Sequence, residues 1–114
     1  MALTYQQGGG FIYLIENTDT LEYKIGLTKN SPEKRLKQLQ TGSPAKLRLK
    51  ASYRTNYPHR LESILHRYYS PYRLEGEWFA LSDGQVNDFL TECKRTDDII
   101  ELMKDNPFFS KGLK

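Results

Sequence analysis

The sequence predicts an α+β domain, a small three-stranded antiparallel sheet flanked by helices in the order β-β-α-β-α-(β)-α-α. Three observations carry this. Residues Phe11 to Ile15 form a continuous apolar run rich in strand formers. Leu21, Tyr23, Ile25 and Leu27 then alternate with Glu22, Lys24, Gly26 and Thr28, the period of a strand with one buried face. Two later segments open on proline, at Pro32 and Pro58, and carry apolar residues at helical spacing.

Taken in order, residues 1–10 read as a flexible lead-in ending in three glycines. The apolar run is a central strand buried on both faces, and the turn cluster Asn17-Thr18-Asp19-Thr20 joins it to the second strand as a hairpin. Ser31 is a good N-cap for a helix that Pro32 begins and that Gly42-Ser43-Pro44 stops. Leu36 and Leu39 give that helix a narrow apolar stripe. From Lys46 to Tyr53 the alternation returns, with Leu47, Leu49, Ala51 and Tyr53 inward and Lys46, Arg48, Lys50 and Ser52 on a basic outer face.

The second helix shows Leu61, Ile64, Leu65 and Tyr68 on one side. The stretch Glu77 to Leu81 is a short strand or extended segment. Ser82 and Gln85 make a capping box for a helix with Val86, Phe89, Leu90 and Cys93 on its inner face. A last short helix covers Asp97 to Lys104. The expected organisation is a domain over residues 11–95, followed by a short helix and tail over 96–114.

The chain has 114 residues, the size of one domain, and no run long and apolar enough to cross a membrane. Its start shows no signal-peptide pattern. A single cysteine excludes an internal disulfide and a multi-cysteine zinc site, so a reducing cytoplasm is the expected compartment, and Cys93 reads as core rather than nucleophile. The net charge of +3 is unevenly spread. From Lys24 to Arg73 twelve Lys and Arg face two acids, a net of +10, while the rest of the chain carries −7. A basic middle of this kind suits a polyanion, or else is a solvated face. Lys46, Arg48, Lys50 and Arg54 are the residues expected to meet a nucleic-acid backbone.

Phosphate loops, zincin helices and serine elbows are absent, and His59 and His66 lack the companions of a zinc site. What remains is a set of polar residues on predicted elements. Tyr13 and Lys24 lie on the first two strands. Arg35 lies on the flank of the first helix, within reach of the sheet. Glu62 lies beside the buried stripe of the second helix, with His66 one turn later. A carboxylate at the edge of a core stripe, inside a basic segment, is either an ion-pair partner of an arginine or a metal ligand in a phosphate site. His66 is either its structural partner or a catalytic group. Tyr57 stands just before this helix. Trp78 and Phe79 are base-stacking platforms or core.

Phe11-Ile12-Tyr13, ten residues, then Lys24-Ile25-Gly26 resembles the paired motifs of the GIY-YIG endonucleases. Arg35 is similar to that family's helical arginine, and Glu62 to its metal-binding glutamate. The run Gly76-Glu77-Trp78-Phe79 resembles the ending of a small phage-associated branch that carries KIG in the second motif. The resemblance spans about residues 10 to 81. Phe11 replaces a glycine, Lys24 a tyrosine, and Leu39 a His or Tyr of many relatives. The late asparagine of those relatives is not evident, and Glu77 lies in its neighbourhood.

The resemblance implies a metal-dependent endonuclease acting on DNA, most naturally double-stranded. Glu62 would hold Mg²⁺ or Mn²⁺, and Arg35 would bind non-bridging phosphate oxygens. Tyr13 would be general base or would position the water. Lys24 would stabilise negative charge or act as base, and His66 is a second candidate for proton transfer. The rival readings are an inactive nucleic-acid-binding module of the same fold and a protein-interaction domain. Oligomeric state is not indicated.

Overall fold

A computed structural model describes residues 8–105. The strands are β1 (Gly10–Asn17), β2 (Glu22–Thr28), β3 (Leu47–Thr55) and β4 (Trp78–Phe79). The helices are α1 (Pro32–Thr41), α2 (Pro58–Tyr68), α3 (Asp83–Asn87) and α4 (Phe89–Met103). The element order is the one expected, but the sheet has four strands rather than three, in the order β3-β1-β2-β4 and antiparallel throughout. The fourth strand is two residues long, too short for periodicity to reveal. The expected lead-in lies outside the described residues over 1–7, as does the tail over 106–114.

β1 is buried on both faces because helices cover both. Ile12 and Leu14 pack with Leu61, Leu65, Tyr69, Phe89, Cys93 and Ile100, under α2 and α4. Tyr13 and Ile15 pack on the other side with Leu47, Leu36, Leu39 and Trp78, under α1. Ser31 caps α1, its hydroxyl accepting from the amides of Glu33 and Lys34. Gln40 then ties the end of α1 to the start of β3, its amide donating to Ala45 O at 2.8 Å and accepting from Leu47 N at 2.8 Å. The capping box at Ser82 and Gln85 forms as expected.

Several expectations need correction. Leu21 belongs to the turn, with φ of 57° and 60% exposure, because Asn17 closes that turn by accepting from the amides of Asp19 and Thr20. β3 alternates in burial as expected, with Leu47, Leu49, Ala51 and Tyr53 less exposed than Lys46, Arg48, Lys50 and Ser52, but its inward residues are divided between two cores. Ala51 pairs with Leu14 and Leu49 with Ile15, so a bulge at Lys50 changes the face. Leu47 and Leu49 serve the α1 side, while Ala51 and Tyr53 serve the other. The basic residues of this strand therefore do not share one face.

Tyr68 is 52% exposed, and Tyr69 takes the core position instead, stacked on Phe89 with ring centroids 6.2 Å apart. The helix ends at Tyr68, and an exposed 3₁₀ turn follows at Ser70–Tyr72. Leu90 is exposed, since the helical break falls at Asp88 and not near residue 96. No Gly or Pro interrupts residues 89–103, so α4 runs on, with Thr96 and Ile100 buried. No helix among the described residues is long and apolar enough to cross a membrane.

Candidate active site

β4 pairs with only Tyr23 and Lys24 of β2. Next along that edge, Ile25 uses both its backbone groups. Its amide donates to Glu77 O at 3.1 Å, and its carbonyl accepts from His66 Nε2 at 2.7 Å. One residue thus anchors the segment before β4 and the middle of α2. Glu62 lies one turn before His66 and faces the same way. The possible ligand atoms of Glu62, His66 and Glu77 all lie within 4.8 Å of one another.

Lys24 closes this group from the sheet. Its ammonium is 3.2 Å from a Glu77 carboxylate oxygen and 5.7 Å from the centre of the Trp78 ring. Trp78 is half-buried, packed against the cluster of Tyr13 and Ile15. His66 is held by a second contact, an edge-on approach to Phe79 with centroids 5.2 Å apart.

Tyr13 stands beside Lys24 on the same sheet face, opposite Gly26. Its phenol occupies the space that any side chain on Gly26 would fill. Burial raises the pKa of this phenol. Hydrogen bonding and charge from Arg35 pull the other way, and the carboxylates of Glu77 and Glu62 add to the rise. Arg35 is half-buried on α1, and its Nη1 also donates to Gln38 Oε1 at 3.2 Å. The Glu62 carboxyl is raised by burial and then by Glu77, against the opposing charges of His66 and Lys24. Two carboxylates and an imidazole crowded in this way form a donor set that a divalent cation fits.

The structure thus brings Tyr13, Lys24, Arg35, Glu62 and His66 into one electrostatic neighbourhood. Lys46, Arg48, Lys50 and Arg54 are not part of it. They lie on or beside β3, two strands away from β2 across the sheet. The Arg54 Nη1 is engaged with Thr55 O at 2.6 Å. Tyr57 points to α4, donating to Glu101 Oε1 at 2.7 Å. Cys93 is buried in the core, with its thiol pushed up to about 12 by burial. Glu77 is the site residue that the sequence reading left out of its set. It sits in a segment without periodicity, and its signals are its place in the Gly76-Glu77-Trp78-Phe79 run and its closeness to the expected late asparagine.

The family model of the T5orf172 domain matches residues 10–94. No curated protein and no solved structure matches the chain. The matched span runs from the first residue of β1 into α4 and includes every residue of the site just described. The chain therefore belongs to the T5orf172 domain family, a phage-associated domain related to the GIY-YIG-like nuclease fold.

Proposed function

We propose that the protein is a divalent-metal-dependent endonuclease that hydrolyses phosphodiester bonds of DNA. The observation that carries this reading is the crowding of Glu62, His66 and Glu77 beside Lys24, with Tyr13 and Arg35 on the adjoining face. Lys24 is directed to Glu77, and the charges bearing most on Glu62 are Glu77, His66 and Lys24 rather than an arginine. That favours a metal ligand over a simple ion-pair partner. Membership of a phage-associated family related to a nuclease fold agrees with it.

Glu62 is the first candidate to hold Mg²⁺ or Mn²⁺, which would supply charge neutralisation at the phosphoryl and leaving oxygens. The remaining work falls to the chain. Arg35 offers a rigid fork for the non-bridging oxygens, and its position beside the Tyr13 phenol sets the phosphate near that hydroxyl. Tyr13 keeps its proton at neutral pH, because its pKa lies above the ordinary phenol value. It therefore acts more naturally by positioning the attacking water than by removing its proton. Lys24 faces the same region and gains a second partner when a phosphate enters. His66, oriented by Ile25, is the nearest group of ordinary proton-transfer type.

Supercoiled plasmid nicking with Mg²⁺ or Mn²⁺, with and without chelator, tests the proposal. Nicking that needs the cation and disappears in Glu62→Gln is the expected result. Folded protein that binds DNA yet never cuts it would instead mark a binding module. Leu39, packed in the apolar cluster with Tyr13 where related enzymes carry His or Tyr, favours that second reading.

A further inference from the structure

We propose that Glu62, His66 and Glu77 together form a three-ligand site for a divalent transition ion of the Mn²⁺ class. In the same proposal, Lys24 is the counter-cation of Glu77 that the ion displaces. The inference rests on the metal-dependent reading above, but it concerns which residues hold the ion and which ion they select.

The geometry starts from Ile25. Its carbonyl can only accept, so His66 Nε2 must carry the hydrogen. The neutral ring then has its lone pair on Nδ1. A ring whose other nitrogen is tied to a backbone carbonyl is the usual state of a metal-ligating histidine, since that bond fixes tautomer and orientation. The same residue anchors Glu77 through its amide, so the imidazole and the second carboxylate share one rigid support.

The distances suit a site waiting to contract. Ligand atoms lie within 4.8 Å of one another, whereas ligands about 2.1 Å from one ion stand roughly 3 Å apart. Both glutamates have the side-chain freedom to close that difference. Without an ion, two carboxylates stand close in a partly buried place. The Lys24 side chain, only 16% exposed, answers that repulsion with its ammonium 3.2 Å from Glu77. An ion bound to Glu77 takes over this neutralising role, and the ammonium is released toward the face that Tyr13 and Arg35 share.

The nitrogen donor decides the selectivity. Mg²⁺ takes oxygen ligands and dehydrates reluctantly, so it gains little from an imidazole. Mn²⁺ opens the transition series whose affinity for mixed nitrogen and oxygen sites rises toward Cu²⁺, so an imidazole adds to its binding where it adds little for Mg²⁺. The site should therefore hold Mn²⁺ more tightly than Mg²⁺.

The test is Mn²⁺ binding to the full chain, followed by the electron paramagnetic resonance signal of free Mn²⁺ and by quenching of Trp78. This is the chain's single tryptophan, and it stands beside Lys24. Wild type should bind one ion. Glu77→Gln and His66→Gln should each weaken binding about tenfold or more. Lys24→Met should tighten it several-fold, an effect opposite in sign to general damage. His66→Gln should change Mg²⁺ affinity much less than Mn²⁺ affinity. Circular dichroism and melting confirm the fold, and Glu77→Gln, at a partly exposed residue, carries the test if His66→Gln does not fold.

Affinity within twofold of wild type for Glu77→Gln overturns the three-ligand site. If Glu62→Gln alone abolishes binding, the ion has one protein ligand and the nuclease reading stands. Weaker binding in Lys24→Met overturns the displaced counter-cation. Tight, three-residue-dependent Mn²⁺ binding without any cleavage would keep this site and remove the endonuclease.

Discussion

The phenol of Tyr13 lies against the α-carbon of Gly26, the residue opposite it in the β1–β2 ladder. The glycine is needed for space and not for backbone freedom, since its φ is not in the left-handed region. Gly26→Ala forces either the ring or the strand to move, and such overpacking costs about 1–3 kcal/mol. Nicking should fall by more than this loss of stability accounts for, because the hydroxyl beside Arg35 is displaced. Urea melts and initial nicking rates on the same preparation check it. Wild-type activity in a destabilised Gly26→Ala protein would mean that the hydroxyl's position is unimportant.

Glu62→Gln should have opposite effects on chemistry and on metal-free stability. The folded carboxyl titrates above its unfolded value, so folding favours the protonated acid. Stability from this group is complete below the unfolded pKa and is lost as pH rises through the folded one. At pH 7 without metal, Gln should therefore melt higher than wild type, and the gap should close as pH falls below about 4. Added Mn²⁺ should stabilise wild type more than the variant. DNA affinity should hold or rise, and nicking should vanish. Melts across pH, with and without chelator, separate these expectations.

DNA binding should be dominated by the phosphate backbone and fall steeply with salt, with a log–log slope of about −0.9 per phosphate contacted on duplex. The bulge in β3 adds a refinement. Lys46, Arg48, Lys50 and Arg54 are not one row, so they should not contribute equally. Arg54 is engaged with Thr55 O, and Arg54→Ala should change the slope less than Lys50→Ala. Affinities of single alanine variants across a salt series give the answer. Four equal changes would point to one shared face.

Asp97 fastens the second half of α4 to β3. Its carboxylate accepts from the Tyr53 hydroxyl at 2.9 Å and from the Thr55 hydroxyl at 2.6 Å. Removing an acceptor of this kind from two donors costs about 1.5–3 kcal/mol. Asp97→Ala should destabilise the protein by that order in urea unfolding and leave metal affinity unchanged. The family match stops at residue 94, three residues short of this tie. Loss of metal binding together with stability would show that α4 supports the site after all.

Much of this was readable in the sequence, for reasons that can be named. Phe11 to Ile15 had to be central, because an unbroken apolar run must be covered on both faces, here by helices. Ser31-Pro32 and Ser82 with Gln85 carry their capping chemistry locally, so they marked helix starts correctly. Tyr13, Lys24, Arg35, Glu62 and His66 stood out as polar residues on elements whose period fixes their direction, and the resemblance to paired family motifs grouped them; the structure places them in one neighbourhood. Glu77 was not, since its position depends on a backbone bond to Ile25 that no period encodes. The exchange of Tyr68 for Tyr69 depends on where α2 ends, and the face change in β3 depends on its partner strand. Neither is a property of the segment read alone.

The bulge at Lys50 also says where this chain can change length. In the β1–β3 register, Leu49 and Ala51 have partners on β1 and Lys50 has none. Deletion of a strand residue normally turns half the strand inside out. Here the loss of Lys50 would leave Leu47 and Leu49 against α1, and Ala51 and Tyr53 against the other core, each opposite its present neighbour. When a related chain is one residue shorter in this strand, the alignment gap belongs at position 50. Placed elsewhere in the strand, it would set core residues of one protein against surface residues of the other.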